Sequence, residues 1–299
     1  MSWTNFKSSN LHGVNSNEFI YRLDGLNDSV IPGKEYDFFS SDTLGKFNKK
    51  RKFIYNQDPD PLIKYSLNSY GFRCDDFDKE LVKGNFLYAG CSVTQGLGLP
   101  LNGSWAYQFN KMMGKRKYYN ISVPGIGIEQ IIWNIFTFIE LFGNPESMLV
   151  LLPCFNRNIK IIDYADSFMV DLDDGEKFKD NNERILEFIK TYHMLKILEL
   201  YCASNNIKLL WSSWSNDIEK ILKQSETFSF KNYFFMNDLD LFLKGIAAEK
   251  FLSKDIIEKP EELNNKYWNI ARDEHHPGSQ QQRLYALLFK EEYERRYEK

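Results

Sequence analysis

The stretch NFLYAGCSVTQGLGLP, residues 85–100, carries the chain from an apolar run into a turn of small residues. Its first six residues are typical of a short buried strand. Ser92 follows that strand directly, and two interpretations of it are open. It is either a nucleophile held at the end of a strand or an ordinary serine that caps the next helix. The stretch alone does not decide between them, because any catalytic partners of Ser92 lie elsewhere in the sequence.

Beyond this stretch, apolar strands alternate with helices. Further strands are predicted at KYYNIS (117–122), SMLVLLP (147–153), IKLLWSS (207–213) and YFFMN (233–237). Helices are predicted at SWAYQFNKMMG with Ser104 as N-cap and Gly114 at its end, at IEQIIWNIFTFIELFG ending at Gly143, from about Asn182 to Asn205, and at the C-terminal SQQQRLYALLFKEEYERRYEK. The alternation predicts an α/β fold of three layers, α/β/α, in which a flavodoxin-like parallel sheet of about five strands has helices on both faces.

Two segments do not follow this alternation. Residues 1–80 are polar, with scattered aromatic residues, and are predicted to form an irregular extension packed on a main domain of residues 81–299. Within the extension, DPDPL (58–62) has two prolines, which exclude a regular helix or a central strand. Residues 163–180, DYADSFMVDLDDGEKFKD, are rich in aspartate and are predicted to be an acidic loop.

Composition is that of a soluble globular protein and excludes several classes. The 299 residues are 43% hydrophobic and 26% charged, with a net charge of −3, so no nucleic-acid partner is expected. The first residues lack a signal-peptide pattern, and no apolar window is long enough to span a bilayer. A cytoplasmic or virion-associated protein is therefore expected. The four cysteines are far apart without CxxC spacing, so neither a disulfide framework nor a zinc site is indicated.

Ligand sites of parallel sheets lie at the carboxyl ends of the strands, which directs attention to the loops after the predicted strands. Ser92 lies in the first such loop, Gly125 and Gly127 lie in the second, and Asn156 lies in the third. Each has an ordinary structural interpretation as a helix cap, a tight turn or a loop asparagine. Near the C-terminus, RDEHHPGSQ (272–280) holds two of the four histidines of the chain.

Together and in this order, these segments resemble the SGNH (GDSL-type) hydrolase family. GCS at residues 90–92 resembles the family's nucleophile segment, NISVPGIG its glycine segment, and CFNR its asparagine segment. DEHHP matches the final Asp-x-x-His segment through Asp273 and His276. The resemblance covers residue 85 to the C-terminus, and NSYGFR (68–73) also resembles a phrase that precedes the serine segment in some members.

The resemblance implies a division of labour at the site. Ser92 would be the nucleophile, His276 the general base, and Asp273 the group that orients the imidazole. The oxyanion hole would consist of the N–H groups of Ser92 and Gly125 and the side-chain amide of Asn156. No metal or organic cofactor would be needed.

Two departures from the family pattern bear on these assignments. The residue before the nucleophile is Cys91 instead of aspartate, and CFNR replaces the commoner Gly-x-Asn-Asp. Cys91 is itself a possible nucleophile, but adjacent residues of a strand point in opposite directions, so only one of the pair can face the histidine, and Ser92 is preferred.

The expected function is that of a serine esterase which releases a short acyl group, namely acetyl, from an acylated carbohydrate or a similar small ester. Two alternatives stay open: an O-acyltransferase, and a non-catalytic carbohydrate-binding or structural protein, phage-derived in origin, that retains the fold. The oligomeric state is not predicted.

Overall fold

The computed structural model describes residues 32–45, 47–48, 63–155, 158–164, 167–173, 181–215, 218, 222–223, 229–236, 271–273 and 275–298. The strands are β1 Glu35–Tyr36, β2 Tyr65–Ser66, β3 Phe86–Gly90, β4 Tyr118–Asn120, β5 Ser147–Leu152, β6 Asn158–Tyr164, β7 Ser167–Asp173 and β8 Lys208–Ser213. The helices are α1 Lys79–Val82, α2 Ser92–Gln95, α3 Trp105–Met112, α4 Ile128–Phe142, α5 Asn181–Ser204 and α6 Ser279–Tyr297, with a 3₁₀ turn at Leu101–Gly103.

The central sheet is parallel, with strand order β4-β3-β5-β8. Beyond β8, Tyr233 forms a parallel bridge with Trp211, and the N–H of Phe234 donates to the Trp211 carbonyl at 3.1 Å. The fifth strand predicted at YFFMN is therefore present as a single bridge at the edge of the sheet. In chain order the arrangement is 2-1-3-4-5, the flavodoxin-like order. The predicted fold class is confirmed.

The two faces of the sheet are covered by different helices. Successive strand residues point to opposite faces, so Leu87 and Ala89 of β3 pack in one buried cluster with α4 and α5. Phe86 and Tyr88 pack in another with α3 and α6. Each large apolar side chain buried in this way contributes roughly 1.5–3 kcal/mol relative to an exposed one. Burial on both faces explains the nearly continuous apolar runs of β3 and β5.

The helix ends lie close to the predicted residues. Ser104 occupies the N-cap of α3, although its hydroxyl donates to the Leu101 carbonyl at 2.9 Å instead of capping the helix. Gly114 and Gly143, just past the ends of α3 and α4, both have positive φ angles. None of the helices that the structure describes is long and apolar enough to cross a membrane.

The prediction of a loop over residues 163–180 was wrong in its first part. Strands β6 and β7 form an antiparallel hairpin in which Asn158 lies opposite Asp173 and Tyr164 lies opposite Ser167. In SFMVDLD, Phe168, Val170 and Leu172 alternate with other residues at the period of a strand. The sequence pattern did not indicate a strand because the segment also contains several aspartates, which are typical of turns and loops.

The described part of the N-terminal region packs on the loops of the main domain. β1 and β2 pair antiparallel. A third buried cluster combines Phe39, Ile63, Tyr65 and Leu67 with Leu97, Leu99 and Ala271. The division of the chain at residue 80 stays a prediction, and DPDPL (58–62) lies outside the described residues.

Candidate active site

Ser92 lies at a sharp turn from strand to helix. β3 ends at Gly90, Cys91 has an extended backbone, and α2 begins at Ser92. A Cβ on Gly90 would lie 2.6 Å from the Leu151 carbonyl oxygen of the neighbouring strand and 2.2 Å from Thr94 Oγ1. Only glycine allows the strand and the helix to approach so closely. The turn holds Ser92 at the carboxyl edge of the sheet, with 6% of its surface exposed.

The C-terminal segment before α6 brings a histidine to this serine. His276 Nε2 lies 2.7 Å from Ser92 Oγ, and His276 Nδ1 lies 2.5 Å from Asp273 Oδ2. The Asp273 side chain is fully buried, whereas 16% of the His276 side chain is exposed. The structure thus brings together the three side chains to which the resemblance gives the roles of nucleophile, base and orienting acid.

The hydrogen bonds define the proton positions. An ionised Asp273 can only accept, so His276 Nδ1 must carry the proton that the carboxylate receives. In the neutral imidazole, Nε2 is then an acceptor, and the Ser92 hydroxyl donates to it. This is the arrangement in which a serine can lose its proton to a neighbouring base.

Asp273 is held as a carboxylate by several donors. Burial favours its neutral form, but the His276 side chain, the His275 N–H and the Ser41 hydroxyl outweigh burial and lower the pKa of Asp273 below its ordinary value. The N–H groups of His275 and His276 both donate to Oδ1 at 3.2 Å. His275 therefore contributes its main chain to Asp273, and the imidazole that meets Ser92 belongs to His276.

The segment of Asp273 and the segment of Ser92 are fastened to each other. The N–H of Arg272 donates to the Gly98 carbonyl at 2.9 Å, and a Cβ on Gly98 would lie 2.9 Å from Ala271 Cβ. At the start of α6, the Gln282 side chain accepts from the Trp105 N–H at 3.0 Å and donates to the Val93 carbonyl at 3.0 Å. These contacts fix the distance between the serine and the histidine.

The glycine loop lies beside the nucleophile turn. The N–H of Val123, just after β4, donates to the Gly90 carbonyl at 3.3 Å, and Gly125 occupies a turn with φ +78°. Within the described part of the chain, no hydrogen bond is donated by the N–H of Ser92 or of Gly125. Their assignment to the oxyanion hole stays a prediction. Asn156 and Arg157 lie outside the described residues, so the asparagine assignment stays a prediction.

Cys91 has a different environment from Ser92. Its thiol is completely buried and accepts a hydrogen bond from Trp214 Nε1 at 3.4 Å. The Ser92 hydroxyl lies 3.9 Å from the Cys91 sulfur but 2.7 Å from His276. The histidine is therefore paired with the hydroxyl and not with the thiol. Among the described residues, no group of three or more histidine, cysteine, aspartate or glutamate side chains is arranged to hold a metal ion.

The role of NSYGFR (68–73) did not follow from the sequence, and the structure shows a role for its last residue, Arg73. The buried guanidinium donates to the carbonyls of Gly96 and Leu99 at 2.8 Å and of Lys64 at 2.9 Å. Two of these carbonyls belong to the loop that follows the nucleophile helix. Ser41, which donates to Asp273 Oδ2 at 3.0 Å, gave no signal in the sequence.

Two solved structures are similar to this chain. A member of the lipolytic G-D-S-L family from Veillonella parvula is 14% identical, with a TM-score of 0.34, over 72% of this chain and 98% of that one. A protein assigned as an acylhydrolase from Bacteroides fragilis is 15% identical, with a TM-score of 0.33, over 74% of this chain and 91% of that one. These values are too low to carry an argument about function, which rests on the geometry above. No family model and no curated protein matches the sequence.

Proposed function

We propose that the protein is a serine esterase of the SGNH type. The observation that carries the proposal is the position of His276, whose two ring nitrogens lie 2.7 Å from Ser92 Oγ and 2.5 Å from Asp273 Oδ2. These residues come from two distant parts of the chain, and a purely structural role gives no reason for them to meet in this order. A serine hydroxyl is a weak nucleophile without such a base.

In the first half of the reaction, Ser92 Oγ attacks the carbonyl carbon of the ester while His276 Nε2 takes the hydroxyl proton. Asp273 stabilises the imidazolium that results and stays ionised, since its carboxylate accepts hydrogen bonds at both oxygens while the proton stays on His276 Nδ1. The tetrahedral intermediate then collapses. The bond from carbon to the alcohol oxygen breaks, and His276 gives its proton to the departing alcohol. The acyl group remains on Ser92.

The second half repeats these steps with water. His276 takes a proton from water as the water oxygen attacks the acyl carbon, and it returns the proton to Ser92 Oγ as the acid is released. In both halves, the negative oxygen would be held by the N–H groups of Ser92 and Gly125 and by Asn156. One such donor typically contributes about 10²–10³ in rate. No metal or organic cofactor takes part in these steps.

For the substrate, we propose a short acyl ester, of which an O-acetyl group on a carbohydrate is the favoured case. The chain is rich in tyrosine and tryptophan, and such side chains offer flat apolar faces with a polar edge. Ser92 and Asp273 are almost fully buried, so the reacting centre has little exposed surface. A small acyl group suits this arrangement better than a long chain.

The test is hydrolysis of p-nitrophenyl esters of increasing acyl length, together with acetate release from acetylated sugars. We expect the wild type to turn over the shortest esters fastest, Ser92→Ala to be inactive with an unchanged melting temperature, and Cys91→Ala to be active. An inactive Cys91→Ala beside an active Ser92→Ala would transfer the role to the thiol. Faster acyl transfer to an added sugar alcohol than to water would identify a transferase instead.

A further inference from the structure

The N-terminal region reaches the orienting carboxylate of the site through one tight turn. Phe39 and Asp42 exchange main-chain hydrogen bonds at 3.0 and 3.1 Å, so Ser40 and Ser41 form a two-residue hairpin turn. Ser40 accordingly has a positive φ of 54°. From this turn, the Ser41 hydroxyl donates to Asp273 Oδ2 at 3.0 Å, across 232 positions of sequence.

The turn is anchored on both sides of this contact. The Asp42 carboxylate accepts hydrogen bonds from Arg272. Arg272 Nε lies 3.0 Å from Oδ1 and 3.1 Å from Oδ2, and Nη2 lies 2.6 Å from Oδ2. Both side chains are 1% exposed. The Arg272 guanidinium also lies 4.4 Å from the ring centre of Phe38 and donates to the Asp37 carbonyl. Arg272 is the residue before Asp273. The turn and the orienting aspartate are therefore held in one fixed relation.

A second connection ties the same turn to the nucleophile loop. The Tyr65 hydroxyl donates to Asp42 Oδ2 at 2.5 Å and accepts from the Gly98 N–H at 2.8 Å. The Gly98 carbonyl in turn accepts from the Arg272 N–H. A buried ion pair is weak evidence for stability, but here its network fixes positions from three segments. Ser41 is thus placed by buried contacts and not by a chance surface encounter.

We infer that Ser41 is a positioning residue of the site: its hydroxyl holds Asp273 Oδ2 in the position where it accepts the hydrogen bond from His276 Nδ1. Oδ1 is already held by two main-chain N–H groups, so the Ser41 bond fixes the remaining oxygen. A hydrogen bond to a charged group is stronger than one between neutral groups and restricts rotation of the carboxylate. The expected effect of Ser41 on the reaction rate rests on the proposed function. Its expected effect on the His276 imidazole does not.

The charged and polar groups around the Asp273 carboxylate determine what a substitution of Ser41 changes. Asp273 accepts hydrogen bonds from His276 and from the main chain of His275, and the residues next to Ser41 and Asp273, Asp42 and Arg272, form the buried ion pair. Substitution of Ser41 leaves all of these in place. It removes only a neutral donor that shares Oδ2 with the imidazole.

The decisive comparison is between Ser41→Thr and Ser41→Val, because the two side chains have similar shapes and only threonine keeps a hydroxyl. Kinetics on a short p-nitrophenyl ester should give a kcat about 3- to 10-fold lower for Ser41→Val and for Ser41→Ala, with KM unchanged, and near wild-type values for Ser41→Thr. The control is Ser66→Ala, which removes an exposed bond from a serine to Glu35 at 2.8 Å. It should leave both constants unchanged.

A second readout does not depend on catalysis. The His276 Nδ1 proton should give a far-downfield ¹H NMR signal, which should shift in Ser41→Val and Ser41→Ala and be retained in Ser41→Thr. The acidic side of the kcat/KM profile should move to higher pH in Ser41→Val, since more negative charge is left on Oδ2 to stabilise the imidazolium. Folding of each variant is checked by circular dichroism.

The outcomes separate the inference from the proposed function. If the wild type hydrolyses esters and Ser41→Val matches Ser41→Thr in kcat and in the imidazole signal, the inference is overturned and the esterase stands. If the wild type neither hydrolyses esters nor reacts with serine reagents, the proposed function fails. The NMR comparison then decides alone: an identical signal in the two variants overturns the positioning role.

Discussion

Replacing Arg73 with methionine should loosen the loop that follows the nucleophile helix. Methionine has a similar reach but no donors. In the wild type, Arg73 is 2% exposed, and its guanidinium donates hydrogen bonds to the carbonyls of Lys64, Gly96 and Leu99. It also lies 4.4 Å from the ring centre of Tyr65. The substitution removes all of these interactions at once, with little change in side-chain volume.

The size of the effect follows from two opposing terms. Each buried carbonyl left without its donor costs about 1–3 kcal/mol, so three of them cost about 3–9 kcal/mol. Against this, burial of the guanidinium opposes its charge, as the lowered pKa of Arg73 indicates, and its removal returns several kcal/mol. We expect a net loss of about 2–4 kcal/mol in the free energy of unfolding, which corresponds to a melting temperature lower by about 3–6 °C for a chain of this length.

The assay is thermal unfolding followed by circular dichroism, with Arg116→Met as the matched control because Arg116 is exposed. We expect the control to melt within about 1 °C of the wild type, as surface substitutions usually do. At a temperature where both are folded, Arg73→Met should also hydrolyse esters more slowly, because Gly98 in the same loop accepts from Arg272. A melting temperature of Arg73→Met equal to that of the control would refute the stabilising role assigned to the hydrogen bonds of Arg73.

Three further predictions test other parts of the account. Gly90→Ala places a Cβ 2.6 Å from a main-chain carbonyl of β5 and should lower both the melting temperature and activity, whereas Gly84→Ala, with nothing within 4 Å, should change neither; equal melting temperatures would contradict the close approach. His276→Ala should abolish hydrolysis while His275→Ala retains it, and the wild-type rate should rise with pH as histidine loses its proton, so the reverse result would reassign the base. The folded-state pKa of Asp273 lies below its ordinary value of 3.8, so its ionisation stabilises the fold above that pH and this contribution is lost as the pH falls below it. Urea unfolding at about pH 5 and pH 3 should therefore show a smaller acid loss in Asp273→Asn than in the wild type, and an equal loss would contradict the assignment.

The sheet and its helices could be predicted from the sequence because they depend on local patterns. A continuous apolar run marks a strand buried on both faces, and the spacing of apolar residues marks α4. The β6–β7 hairpin was missed because its alternation is mixed with aspartates, which are otherwise typical of loops. Regular elements buried in the core are thus predictable, whereas a hairpin outside the central sheet is less so.

The site divides in the same way. Ser92, Asp273 and His276 stood out because they occur in motifs at the ends of predicted elements. Ser41 and the pairing of Asp42 with Arg272 did not, because they depend on contacts across more than 200 positions and no local pattern records such a contact. Asp42 and Ser41 lie in a polar segment in which any serine or aspartate fits a turn equally well.

The central claim is that Ser92 is a nucleophile activated by His276, and covalent labelling tests it most directly. The wild-type protein is incubated with a fluorophosphonate, digested, and analysed by mass spectrometry for the modified residue. The account predicts one adduct per chain on Ser92, formed more slowly by His276→Ala and absent from Ser92→Ala. Labelling of Cys91, or an unmodified Ser92 in a folded and otherwise intact protein, would contradict it.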